Sequence, residues 1–273
     1  MKNLITRALT GIIYVATIVS AIYIHPYTFL VLFATVVGLN IWEFYELEKE
    51  SKVRHKLIAI LGGMYLFTAS FLYAGGFASA HIFYPYLLFL LALLIISLYR
   101  TTPNPAENCA IAFFAQFYCA GLLSILNFIV FDPATKQYFH AFVLLIFIFV
   151  WINDTFAYLT GITFGKHPLF QRISPKKSWE GFLGGFMFVV LSSLAIAYYF
   201  PEIINWRHSL TLGILTVIFS TYGDLVESLL KRTRGVKDSG TFLPGHGGFL
   251  DRFDSIILTA PAVFIYMELF IRN

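Results

Sequence analysis

The chain has 273 residues, 58% of them apolar and 12% charged, with a formal net charge of +4, whereas an average soluble domain is roughly 45–50% apolar and about 25% charged. This excludes an ordinary water-soluble globule, and 30 Phe, 16 Tyr and 4 Trp exclude a disordered or collagen-like chain. Cys109 and Cys119 stand in one apolar run; as a helix that run separates them by about 15 Å at ~1.5 Å per residue, which argues against a disulfide.

In chain order, runs of the length that a bilayer core requires fall at about 8–24, 27–45, 57–78, 82–99, 109–131, 138–162, 181–200, 208–230 and 254–271. The first has Lys2 and Arg7 as a basic flank but ends in Tyr23, His25, Pro26 and Tyr27 rather than in a small-residue cleavage site, so it reads as a span and not a signal peptide. No repeat and no long connection interrupts the series. The expected fold is all-α: a single integral membrane domain over 1–273 with about nine transmembrane helices.

With the N-terminus cytoplasmic, all of the 19 Lys and Arg residues except Lys136, Arg207 and Arg272 fall on the inner side, as the excess of basic residues in cytoplasmic loops requires. Of the 15 acidic residues only Asp132, Glu202 and Glu268 fall outside. Both signs of charge therefore gather on the cytoplasmic face, and chemistry is expected there. An odd number of spans places the C-terminus outside.

Three charged segments lie on that face. The run from Glu43 to Lys56 mixes both signs and reads as a solvated loop without a role. The segment GKHPLFQRISPKKSWEGFLGG, Gly165 to Gly185, has two readings of equal weight. One is a patch against anionic headgroups; the other is phosphate binding by Ser174, Lys176 and Lys177 beside a helix N-terminus. Gly181, Gly184 and Gly185 suit either a phosphate-binding entry or close helix packing.

The third segment is the most specific. In TYGDLVESLLKR, Asp224, Glu227, Ser228 and Lys231 share one helix face, and ionisable residues at a membrane helix end mark a cavity or site. The alternative is an internal pair, Asp224 with Lys231 or Glu227 with Lys231. The loop TRGVKDSGTFLPGHGGFLDRFDS follows, with Gly235, Gly240, Gly245, Gly247 and Gly248 able to bring backbone N–H groups around an anion. It delivers Asp251 and Asp254 to the start of the last span. These aspartates are either helix caps or, with Asp224, a Mg²⁺ site completed by phosphate oxygens and water. Lys231, Arg232, Lys237 and Arg252 are then placed to hold phosphates.

Ser228-x-x-Lys231-Arg232, Lys237-Asp238-x-Gly240 and Leu243-Pro244-x-His246-Gly247-Gly248-x-x-Asp251-Arg252-x-Asp254 together resemble the signature of the CDP-diacylglycerol synthases, also called phosphatidate cytidylyltransferases. Asn153-Asp154-x-x-Ala157-Tyr158, Gly165-Lys166 and Ser174-Pro175-Lys176-Lys177-Ser178-Trp179-Glu180-Gly181 also resemble that family, whereas the first 140 residues match only as a series of spans. The resemblance makes 1–140 mainly scaffold and 151–254 the catalytic region. It implies transfer of CMP from CTP to phosphatidate with release of pyrophosphate, for phospholipid synthesis, and a divalent cation, Mg²⁺ or another, as cofactor.

By the same resemblance, Asp224 and Asp251 hold the metal, with Asp254 as a third candidate. Lys237, Arg252 and the Gly247 and Gly248 amides stabilise the departing pyrophosphate. Ser174, Lys176, Lys177, Ser228, Lys231 and Arg232 bind the lipid phosphate or the nucleotide. His246 has two readings of equal weight, a scaffold hydrogen bond and a direct phosphate contact or proton shuttle. Glu227 and Asp238 either touch metal through water or orient a neighbouring Lys. Phosphatidate brings its own nucleophile, an oxygen of a phosphate largely dianionic near neutral pH given a second pKa of about 6.

The expected partners are CTP, phosphatidate and membrane lipid, with no nucleic acid; a homodimer is compatible with such a chain. The expected location is the bacterial inner (cell) membrane. Two rival functions are a CTP-dependent polyprenol or phytol kinase, which needs a base for its alcohol, and a multi-span transporter, which favours charges near the midplane. The Asp-x-x-Asp-Gly-x-x-Ala-Arg run of CDP-alcohol phosphotransferases is absent from the sequence.

Overall fold

The structure, a computed structural model, describes residues 2–48, 53–99, 101, 104–236, 239–240 and 248–272. Among these, eight helices are long and apolar enough to cross a membrane, and a shorter apolar stretch, Thr10–Ile24, lies within the first helix. The expected series of about nine helical spans is therefore present. The described residues form two compact units, Met1–His140 with Asp238–Asp251, and Ala141–Lys237 with Arg252–Asn273.

In the first unit, α1 (Lys2–Ile24) turns directly into α2 (Pro26–Leu47). Pro26 supplies the fixed φ of a first helical residue, and His25 caps α2 by accepting from the Tyr27 amide at 3.2 Å. α2 packs on α3 (Val53–Ala74) through a buried aromatic cluster: Phe29 and Phe33 have ring centroids 4.7 Å apart, and Phe33 and Phe67 6.3 Å apart. A 3₁₀ turn, Ala80–Phe83, leads into α4 (Tyr84–Leu98), in which no residue is buried, as suits an apolar helix facing lipid acyl chains.

The next span is α5 (Pro105–Ala115), a π turn at Gln116–Gly121, and α6 (Leu122–Val130). In that turn the buried Gln116 donates to the Ala59 carbonyl at 2.8 Å and accepts from the Tyr86 hydroxyl at 3.2 Å. Asn127 donates to Phe67 O and Ser70 Oγ of α3 at 3.1 and 2.8 Å. Side-chain amides thus satisfy backbone carbonyls where no water reaches.

The second unit begins with α7 (Ala141–Phe164), continues through a two-stranded antiparallel hairpin, β1 (Pro168–Phe170) and β2 (Ser174–Ser178), and then α8 (Trp179–Tyr199), α9 (Trp206–Thr233) and α10 (Leu250–Phe270). The glycines of α8 resolve in favour of close packing. A Cβ on Gly181 would lie 2.8 Å from the Ala157 carbonyl oxygen. One on Gly184 would collide with Thr160, and one on Gly185 would stand 2.5 Å from Asn153 Oδ1. α7 and α8 therefore meet almost backbone to backbone. Gly223 of α9 does the same for α10, because a Cβ there would run into the Asp254 backbone.

Candidate active site

In the second unit α7, β2, α8 and α9 line a cavity of about 540 Å³. Its polar side is Asn153, Asp154, Lys176, Lys177, Ser178, Thr221 and Asp224, and its apolar side includes Ala157, Ile162, Leu169 and Phe182. A cavity that pairs lysines and carboxylates with an apolar wall suits a ligand with a phosphate head and an acyl body.

The hairpin that carries the lysines is tied down by Glu180 in the first turn of α8. Its Oε2 accepts from the Lys166 and His167 amides at 3.1 and 3.2 Å, and its Oε1 meets His167 Nδ1 at 2.6 Å. Ser178 caps α8, its Oγ accepting from the Gly181 amide at 3.1 Å. This pinned turn projects Lys176 and Lys177 toward the cavity, with Lys176 exposed and Ser174 half-buried at the start of β2.

The polar stripe of α9 divides in two. Asp224 faces the cavity, forms an ion pair with Lys177 and accepts from Ser228 Oγ at 3.2 Å. One turn on, Glu227 pairs with Lys231 at 2.5 Å, and both residues are buried. The stripe thus holds an internal pair, Glu227 with Lys231, and one residue on the cavity wall, Asp224. Arg232 is exposed and reaches the Ile173 carbonyl with Nε at 3.4 Å and the Val236 carbonyl with Nη1 at 3.0 Å, bracing the turn ahead of β2.

Asp254, buried in α10, lies within electrostatic range of Asp224, Asp154 and Lys177, and Arg252 acts on Asp154. Asp154 stands in the sequence beside Asn153 but carries no assigned role there; the structure places it on the cavity wall with Asp224. Its signal was a carboxylate inside an apolar span, a costly placement that marks function. Asn153 is buried, and its Nδ2 donates to Ser220 Oγ of α9 at 3.3 Å, fixing α7 against α9.

These all-oxygen donors are the chemistry a hard divalent cation takes, and Mg²⁺ needs only one or two protein carboxylates beside phosphate and water. Among the described residues no three His, Cys, Asp or Glu side chains converge as a formed metal cluster.

Asp251 is described within the first unit. Its Oδ2 accepts from the Gly248 and Ser239 amides at 2.8 and 3.2 Å, so this aspartate ties residues 239 and 248 together. Lys237, Asp238, His246 and Gly247 lie outside the described residues. Glu43 corrects the reading of its segment as a solvated loop: it is 5% exposed and accepts from Ser239 Oγ and the Leu250 amide. Lys56 is buried too and pairs with Glu46. The sequence pattern hid this because the partners of Glu43 lie near the far end of the chain.

The profile of the cytidylyltransferase family matches residues 5–270. A phosphatidate cytidylyltransferase of Haemophilus influenzae is 32% identical over 97% of this chain and 98% of its own length. That of Thermotoga maritima is 40% identical over 51% of this chain and 53% of its own, and that of Staphylococcus aureus (strain COL) 42% over 52% and 54%. With a match that runs from residue 5 to residue 270, the chain belongs to the cytidylyltransferase family.

Proposed function

We propose that this protein is a phosphatidate cytidylyltransferase: a phosphate oxygen of phosphatidate attacks the α-phosphorus of CTP, the new P–O bond forms as the α–β P–O bond breaks, and pyrophosphate leaves with the electron pair. The observation that carries the reading is the cavity in which Lys176, Lys177, Asp154 and Asp224 face an apolar wall. A polyprenol kinase or a transporter has no such support here, and the full-length relative bears the cytidylyltransferase name.

In this reading Lys176 and Lys177 hold the phosphatidate phosphate, and the apolar wall takes the start of its acyl chains. Lys177, paired with Asp224 in the resting protein, exchanges that carboxylate for the substrate phosphate. Lys237, Arg252 and the amides of Gly247 and Gly248 hold the CTP phosphates, with His246 and Asp238 in the same loop. Asp224, Asp251 and Asp254 are the residues that would hold a Mg²⁺ ion, which supplies charge neutralisation at the phosphates. No strong base is required, because the attacking oxygen is already ionised. The reading extends to an inner-membrane protein with the N-terminus and both basic loops on the cytoplasmic side, where CTP is found, and allows a homodimer. Release of pyrophosphate from CTP by the purified protein tests it: release must depend on added phosphatidate, whereas formation of CDP instead of pyrophosphate, with polyprenol in place of phosphatidate, speaks for the kinase.

A further inference from the structure

Glu43 belongs to α2, nearly 200 residues ahead of the glycine-rich segment in sequence, yet in the first unit it is bonded to residues on both sides of that segment. Its Oε2 accepts from Ser239 Oγ at 3.1 Å and from the Leu250 amide at 2.8 Å, one residue on each side of the loop. The loop glycines fit around the same carboxyl group. A Cβ on Gly240 would lie 2.7 Å from Glu43 Oε1 and 3.0 Å from its Cδ, and a Cβ on Gly248 would collide with Oε2 and with Ser239 Oγ. Gly240 and Gly248 are therefore needed for the approach of Glu43, and not only for loop flexibility.

Ser239 is gripped twice, its hydroxyl by Glu43 and its amide by Asp251 at 3.2 Å, while Asp251 also takes the Gly248 amide at 2.8 Å. Two carboxylates thus staple the same pair of loop ends, one from α2 and one from the start of α10. A carboxylate buried to this degree is costly unless its hydrogen bonds matter to the protein.

We propose that Glu43 is a positioning residue for the reaction: by clamping Ser239 and Leu250 it fixes the two ends of the signature loop and the orientation of Asp251. Its part in turnover rests on the phosphatidate cytidylyltransferase reading, whereas the clamp itself does not.

The test compares Glu43→Ala, Glu43→Gln and Ser239→Ala in the full-length protein purified in detergent. Hydrogen exchange is followed in the peptide that contains the Leu250 amide, alongside kcat and KM for CTP. Glu43→Ala is expected to speed exchange at Leu250 and to lower kcat/KM for CTP by about 10- to 100-fold, the range of one lost hydrogen bond to a charged group. Glu43→Gln keeps an acceptor oxygen and should return both readouts to within about 5-fold of wild type. Ser239→Ala removes one of the two anchors and should shift both in the same direction by less.

Folded Glu43→Ala protein with unchanged kcat/KM overturns the proposal. So does a Gln variant as impaired as Ala, because the charge itself would then be acting. Should Glu43→Ala not fold, Ser239→Ala decides alone, and unchanged exchange and kinetics in it overturn the clamp. Should the wild-type protein make no CDP-diacylglycerol, the functional reading fails while the exchange data still decide the clamp: faster exchange at Leu250 supports it, and unchanged exchange overturns it.

Discussion

Replacing Lys177 by Gln separates what this lysine does for the fold from what it does for the substrate. The side chains of the Lys177–Asp224 pair are 29% and 35% exposed, so the pair is screened by solvent and its loss costs about 1 kcal/mol of stability. That shifts the melting temperature by about 2–4 °C in a chain of this size. If Lys177 instead spends turnover on a lipid phosphate, losing its charge-assisted hydrogen bond costs about 1.5–3 kcal/mol of substrate binding, or roughly 10- to 100-fold. The expected result is therefore a nearly intact fold with a large rise in KM for phosphatidate and a small change in KM for CTP, since binding lost from one substrate shows chiefly in its own KM. Scanning fluorimetry and initial rates over both substrates measure this. A variant that raises mainly the CTP KM, or leaves both KM values alone, refutes the assignment of the hairpin to the lipid.

Asp224→Asn and Asp251→Asn should each lower turnover by more than about 10²-fold, as the loss of a catalytic cation does, and unchanged Mg²⁺ dependence in both variants would remove them as metal ligands. Gly185→Ala forces a Cβ to 2.5 Å from Asn153 Oδ1 and should destabilise the protein by about 1–3 kcal/mol; Gly161→Ala, whose Cβ would meet nothing closer than 3.5 Å, should be neutral or stabilising, and equal melting temperatures for the two variants would contradict the packing account. Cysteine at Arg172 and at Arg207 should label from opposite sides of sealed vesicles, the first from the cytoplasmic side; same-side labelling would reverse the charge-based topology.

The spans were legible because a run of about 20 apolar residues has few other uses. The site was legible where ionisable residues share a helix face, as Asp224 and Glu227 do, but periodicity could not say that the first turns to Lys177 and the second to Lys231. The hairpin Pro168–Ser178 was hidden because its strands are three and five residues long and contain proline, so it reads as a loop. The π turn at Gln116 was hidden inside an apolar run that looks like ordinary helix. Glu43 was hidden for a different reason: in a mixed-charge run it resembles a surface residue, and only its hydrogen bonds to residues 196 and 207 positions away reveal its burial. Long-range polar contacts leave no local pattern in a single sequence.

The position of the label in CTP distinguishes cytidylyl transfer from phosphoryl transfer. Purified protein is incubated in mixed micelles with phosphatidate, a divalent cation and CTP labelled at either the α- or the γ-phosphate, and the lipid fraction is counted. The α-label should enter lipid in an amount equal to the pyrophosphate released, with no γ-label there. Transfer of γ-label to lipid, or no α-label under conditions where the protein is folded and binds CTP, would contradict it.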